Sequence, residues 1–151
     1  MKNREPIRAR PYVRGMLIVF AMGLIAIFMI AMMLNPYDGN GKPLRMGTHE
    51  KLGLAPCEFA THFGKPCPSC GLTTSFTLLM HGDIWNSFRA NAIGPFMALT
   101  ALAMIPWSLL IAVRGRYYWV RSMERTSLYV VGLFTVLLLV RWGIVLLFWH
   151  K

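Results

Sequence analysis

Three long apolar stretches alternate with polar segments along this chain. Met16 to Leu34 carries no charged residue, and neither does Ala92 to Val113, which holds Pro95 and Pro106. Leu128 to Trp149 holds a single charge, Arg141. A helix that crosses the hydrocarbon core of a bilayer needs about 20 apolar residues. The three stretches therefore predict membrane-spanning helices over 16–34, 92–113 and 128–149. An apolar helix can also be buried in a soluble core, but three such runs in one short chain argue for lipid. The expected fold class is an all-α membrane protein, a single polytopic domain over 1–151 with one long polar insert over 35–91.

The insert divides by its own pattern. Asn35-Pro36-Tyr37-Asp38-Gly39-Asn40-Gly41 is dense in turn formers and ends the first span. From there to Gly64 no period is sustained, which predicts a compact loop with one short helical turn. After Gly71 a helical period starts. Leu72, Phe76, Leu79 and Met80 share one side, while Cys70, Thr74, Thr77 and His81 recur on another. Gly82-Asp83 breaks and recaps the chain, and Ile84, Trp85, Phe88 and Ala92 continue as an amphipathic segment. Two short helices resting on the membrane surface follow from this pattern.

The chain has 151 residues and a formal net charge of +10. Such a balance raises the question of nucleic acid, but no aromatic-interleaved platform or recognition motif accompanies it. Its distribution fits topology instead. Lys2, Arg4, Arg8, Arg10 and Arg14 precede the first span against Glu5 alone, and Arg114, Arg116, Arg121 and Arg125 fill the link between the second and third spans against Glu124 alone. The insert is nearly balanced. Basic residues stay on the cytoplasmic side, so the N-terminus and the Arg-rich link are expected inside a bacterial inner membrane. The insert and the C-terminus are expected outside. The basic flanks would meet anionic head groups. The first apolar run is longer than a secretory signal core and lacks a small-x-small cleavage site, so it reads as a retained anchor. Trp119, Trp142 and Trp149 read as interface markers.

All three cysteines lie in the insert, spaced Cys57-x4-His62-x4-Cys67-x2-Cys70. A Cys-x-x-Cys turn brings two sulfurs together, and its place before a helix start favours thiolate. Three chemistries fit the spacing. One is a structural disulfide from Cys57 to Cys67 or Cys70, expected in an oxidising compartment. Another is a zinc or iron site built from Cys57, Cys67, Cys70 and His62. The third is a redox-active Cys67/Cys70 pair with Cys57 as resolving thiol. His62 alone reads more simply as a solvated loop histidine, and Thr73 and Thr74 as residues serving the helix start. His81 is too far along a straight helix to join the cysteines, about 16 Å from Cys70.

Cys57, the nine residues after it, and Cys67-Pro68-Ser69-Cys70-Gly71-Leu72-Thr73 together resemble a bacterial family of small membrane proteins of unknown function. That family is marked by a C-P-x-C-G-x-T-R signature. His81-Gly82-Asp83 and Ala90-Asn91-Ala92-Ile93-Gly94-Pro95 resemble its continuation, so the resemblance covers about 57–113. It implies a helical membrane fold and the three-cysteine unit, and no settled activity. Thr74 stands where the signature has arginine.

A central arginine in a span costs about 2.5–3.5 kcal/mol on insertion scales. Arg141 lies nearer the external end, so its side chain is expected to snorkel outward to phosphate. The functional alternative pairs it with Asp83 or with helix-end carbonyls of the cysteine unit, locking the third span to the insert. No nucleotide loop, paired carboxylates or Ser/His/Asp set is evident, so an enzymatic role rests on the thiols alone. The leading expectation is a non-enzymatic membrane subunit or scaffold. Its insert, held by a disulfide or a metal, would present a surface to a protein partner or a second copy of the chain.

Orientation is directly testable. A membrane-impermeant amine label on intact cells should modify Lys42 or Lys51 and spare Lys2. The reverse pattern would invert the topology and put the cysteines in a reducing compartment.

Overall fold

A computed structural model describes residues 9–117 and 123–148. Lys2, Arg4, Glu5, Arg8, Trp119, Arg121, Trp149, His150 and Lys151, together with the Glu124 side chain, lie outside this description. The chain is helical, with α1 at Pro11–Met33, α2 at Glu58–Phe63, α3 at Leu72–Met80, α4 at Ile84–Ala90, α5 at Gly94–Arg114 and α6 at Met123–Leu147. α1, α5 and α6 are each long and apolar enough to span a membrane. The other helices and the intervening turns form a cap at the end of α1, the start of α5 and the end of α6. The expected loop before Gly64 holds two short helical pieces, a 3-10 turn at Thr48–Leu52 and α2.

α1 and α5 pack along their lengths. Leu17, Ala21, Phe28 and Ala31 recur on one face of α1 and are all buried, the spacing an amphipathic stripe needs. On α5, Ala98 and Ser108 are fully buried, as are Ile111 and Ala112. Among the small residues of α5, Ala98 and Ser108 are buried, while Ala103 faces outward. Small side chains let helix backbones come together in lipid, where no hydrophobic gain drives association. α5 continues helically through Pro106, and the Ser108 hydroxyl donates to the Met104 carbonyl at 2.6 Å.

At the end away from the cap, Arg14 joins the two spans. Its Nε donates to Ala112 O at 2.6 Å and its Nη2 to Val113 O at 3.2 Å. The last carbonyls of a helix have no partner inside it, and a cation there also suits the negative end of the dipole. Ala9 N donates to Gly115 O at 2.8 Å, drawing the start of the chain against the same end.

The turn-rich start of the insert is held by its own side chains. Asn35 Oδ1 accepts from Tyr37 N at 3.0 Å, and Asp38 Oδ1 accepts from Asn40 N and Lys42 N, both at 2.8 Å. Lys51 Nζ donates to the carbonyls of Asn35 and Tyr37, tying the 3-10 turn back to the end of α1.

The cap helices bury their hydroxyls. Thr74, Ser75 and Thr77 of α3 and Ser87 of α4 are fully buried, while Ile84 and Trp85 are exposed. Ser75 Oγ and Ser87 Oγ lie 2.9 Å apart, Ser87 Oγ donates to Ser75 O at 2.7 Å, and Ser75 Oγ donates to Asn91 O at 3.3 Å. Among the described residues every buried hydroxyl has a partner, as burial away from water demands. Outward apolar side chains suit contact with lipid. The inward side of α3 carries Thr74, Ser75, Thr77 and also Leu78, while Phe76 of the expected apolar side stacks on Phe28 of α1 at 6.1 Å between centroids and His81 of the expected polar side is exposed.

α6 differs from the other two spans. None of its apolar window is buried, and among the described residues it shares no extended packing face with α1 or α5. It meets the protein near its C-terminal end, through Arg141 and Trp142.

Candidate functional site: three thiols beneath a cavity

The three cysteines come together from two segments. Cys57 immediately precedes α2, and Cys67 and Cys70 lie in the turn before α3. Cys67 Sγ is 3.0 Å from Cys70 Sγ, and Cys70 Sγ is 3.5 Å from Cys57 Sγ. All three sulfurs fall within 4.8 Å of one another. A disulfide needs about 2.05 Å, so the expected crosslink is not formed and the three residues are free thiols. Shared hydrogen bonds hold the sulfurs at these longer distances.

His62 does not join them. It sits one helical turn from Glu58 on α2, and its Nε2 lies 3.1 Å from Glu58 Oε2 on the exposed side of that helix. The i,i+4 carboxylate captures the imidazole locally. His81 is likewise occupied elsewhere, with Nδ1 donating to Thr77 O at 2.9 Å.

Gly71 shows why the motif ends as it does. Its φ is +80°, a left-handed conformation that glycine adopts without strain. A Cβ there would also collide with the carbonyl of Ala90 and lie 2.8 Å from that of Arg45. Only glycine lets the cysteine turn sit against the end of α4. Asn91, fully buried, secures the same junction by donating from Nδ2 to Cys70 O at 3.3 Å and accepting from Ile93 N at 3.1 Å. Thr74, at the position of the signature arginine, accepts from the Thr48 hydroxyl at 2.8 Å, which fixes the 3-10 turn beside the cysteines.

The third span reaches this unit twice. Arg141 Nη2 donates to Ala90 O at 3.3 Å, and Trp142 Nε1 donates to Pro66 O at 2.8 Å. Phe59 of α2 packs edge-on against Trp142 at 5.8 Å between centroids. Arg141 therefore turns to a helix-end carbonyl of the cap rather than outward, because a protein acceptor stands at its own depth. Asp83 is engaged elsewhere. It caps α4 by accepting from Asn86 N at 3.2 Å and receives Tyr37 OH at 3.4 Å. The Asn86 donors hold the Asp83 carboxyl below its ordinary value, against the effect of burial and helped by Tyr37. Through the Ala90 carbonyl, which also abuts Gly71, the Arg141 guanidinium is held beside the cysteine turn.

The thiols are not equivalent. Burial pushes the Cys70 thiol up, and its hydrogen bonds to Cys67 and Cys57 add to this, reaching about 12. Burial also acts against a Cys67 thiolate, but hydrogen bonds from Ser69, Cys70 and Cys57 outweigh it and hold Cys67 below its ordinary value. Of the two, Cys67 therefore has the greater thiolate character. Sulfur nucleophilicity follows the thiolate.

Sequence reasoning passed over Asn91, Ser87 and Thr48 as site residues. Ser87 and Asn91 carry a signal as polar side chains one helical turn apart in an amphipathic segment, whereas Thr48 stands in a stretch without a period and carries none.

Limiting iodoacetamide applied to metal-free protein near neutral pH should place its first adduct on Cys67 rather than Cys70. Equal modification of the two, read by peptide mass spectrometry, would contradict the assignment.

No curated protein and no solved structure matches the chain. Residues 57–105 match the model of a family described as "Protein of unknown function (DUF2752)", so the cysteine unit, the short cap helices and the beginning of α5 are what this chain has in common with that family.

Proposed function

We propose that this membrane protein binds one thiophilic metal ion, zinc or iron, through Cys57, Cys67 and Cys70 on the non-cytoplasmic side. One observation carries the reading: three free thiols from two separate segments converge within 4.8 Å. Metal–sulfur bonds of about 2.3 Å in a tetrahedral site imply sulfur–sulfur edges of about 3.8 Å. The separations of 3.0 and 3.5 Å need only a slight opening to reach that geometry. Three thiolates around a divalent ion leave one net negative charge, and Arg141 supplies a nearby positive one. The ion would join the loop before α2 to the turn before α3 in the role once expected of a disulfide.

Elemental analysis of protein purified without chelator should find about one metal ion per chain, with Cys70→Ser losing most of it. A metal-free preparation whose Cys67 and Cys70 cycle reversibly between dithiol and disulfide would overturn this reading in favour of thiol–disulfide exchange.

A second reading, that the protein is a subunit of a membrane assembly, is favoured by the bare length of α6. Native mass spectrometry from lipid nanodiscs should then show a species heavier than the 17.2 kDa chain. Only single chains under conditions that preserve known assemblies would remove it.

A further inference from the structure

The sulfurs form part of the wall of a cavity of about 510 Å³. His49 and Glu50 of the 3-10 turn line the same cavity. A water molecule's share of liquid volume is about 30 Å³, so there is room for much more than solvent. Small-molecule sites begin at roughly 300 Å³.

Among the described residues, no histidine, cysteine or carboxylate completes the three-sulfur group. His62 is held by Glu58. His49 and Glu50 line the cavity but stand outside the group. Closed structural zinc sites use four protein ligands, whereas sites that exchange ligands keep three and leave one position open.

Resting on the metal reading above, we propose that the fourth coordination position opens into this cavity and takes a neutral nitrogen donor of the imidazole class. Charge selects against an anion. An anion would restore the excess negative charge that Arg141 offsets around three thiolates and a divalent ion, and the Glu50 carboxylate at the cavity wall would repel it. A neutral aromatic ring avoids both penalties. Met46, Pro56 and Leu72 give the cavity apolar surface for the ring. The far N–H of a metal-bound imidazole needs an acceptor, very often a carboxylate. Glu50 is the carboxylate that lines the cavity, so the proposal assigns this acceptor role to it. Glu50 is thus a positioning residue that touches the ligand rather than the metal. Free imidazoles and a histidine side chain of a peptide present the same donor, and the cavity has volume for either.

The test uses the full chain in nanodiscs loaded with cobalt(II), whose visible spectrum reports coordination geometry. Imidazole should shift the tetrahedral cobalt–thiolate spectrum in a saturable way, and azide should leave it unchanged. Glu50→Ala should take up cobalt as the parent protein does and bind imidazole about tenfold more weakly. Tighter binding of a blocked histidine than of imidazole identifies a peptide source, and the reverse order identifies a free small molecule. A cobalt spectrum insensitive to imidazole, or equally sensitive to azide, overturns the open nitrogen-donor position while leaving the metal site intact. Failure to bind cobalt at all overturns the metal reading itself, and the two failures are distinguished by the spectrum before any ligand is added.

Discussion

The carbonyl of Ala90 is the point on which the cap depends. It closes α4, abuts Gly71 so tightly that no side chain fits there, and accepts a hydrogen bond from Arg141 of α6. One backbone oxygen therefore sets the distance between the cysteine turn, the α4–α5 junction and the third span. Any residue other than glycine at position 71 would have to displace both this carbonyl and that of Arg45. The sulfurs hang from the turn just before it, so their separation follows from the same contact.

Around that point the cap is built with its polar side inward. A short helix at a membrane surface has lipid on one side and neighbouring helices on the other. Apolar side chains such as Ile84 and Trp85 suit the first, which leaves the inner face to groups that satisfy one another. Ser75, Ser87 and Asn91 do this through a closed set of hydrogen bonds. Each such bond contributes only about 1 kcal/mol net, but leaving one partner unpaired costs more than that. The network therefore specifies one arrangement more strongly than it stabilises it.

Much of this was legible in the residues. The three spans followed from apolar length, with helix ends within a few residues of those expected. Proximity of Cys67 and Cys70 followed from their spacing. Cys57 was offered as a partner by the spacing and by the family resemblance alike, although the nine residues before Cys67, six of them in α2, do not by themselves impose the distance. His62 stands between the cysteines in sequence, but Glu58 one helical turn away engages it on the exposed side of α2, in keeping with the simpler reading of a solvated histidine. Thr74 and Thr77 of the inward face of α3 were visible in a periodic stripe, but periodicity does not say which side meets lipid. Arg141 was anticipated as a lock only in the alternative reading. Its partner is a backbone carbonyl, a group every residue carries, so no sequence signal marks it.

The attachment of α6 has a mechanical consequence. The helix is bonded to the cap at Arg141 and Trp142 and has no buried apolar window along its length. From Trp142 back to Met123 is about 28 Å of helix at 1.5 Å per residue. A tilt of about 5° at the Trp142 hinge would carry the far end through about 2.5 Å by that geometry. Because the Trp142 indole hangs from the carbonyl of Pro66, the residue next to Cys67, the direction in which α6 leaves the cap is tied to the thiol turn.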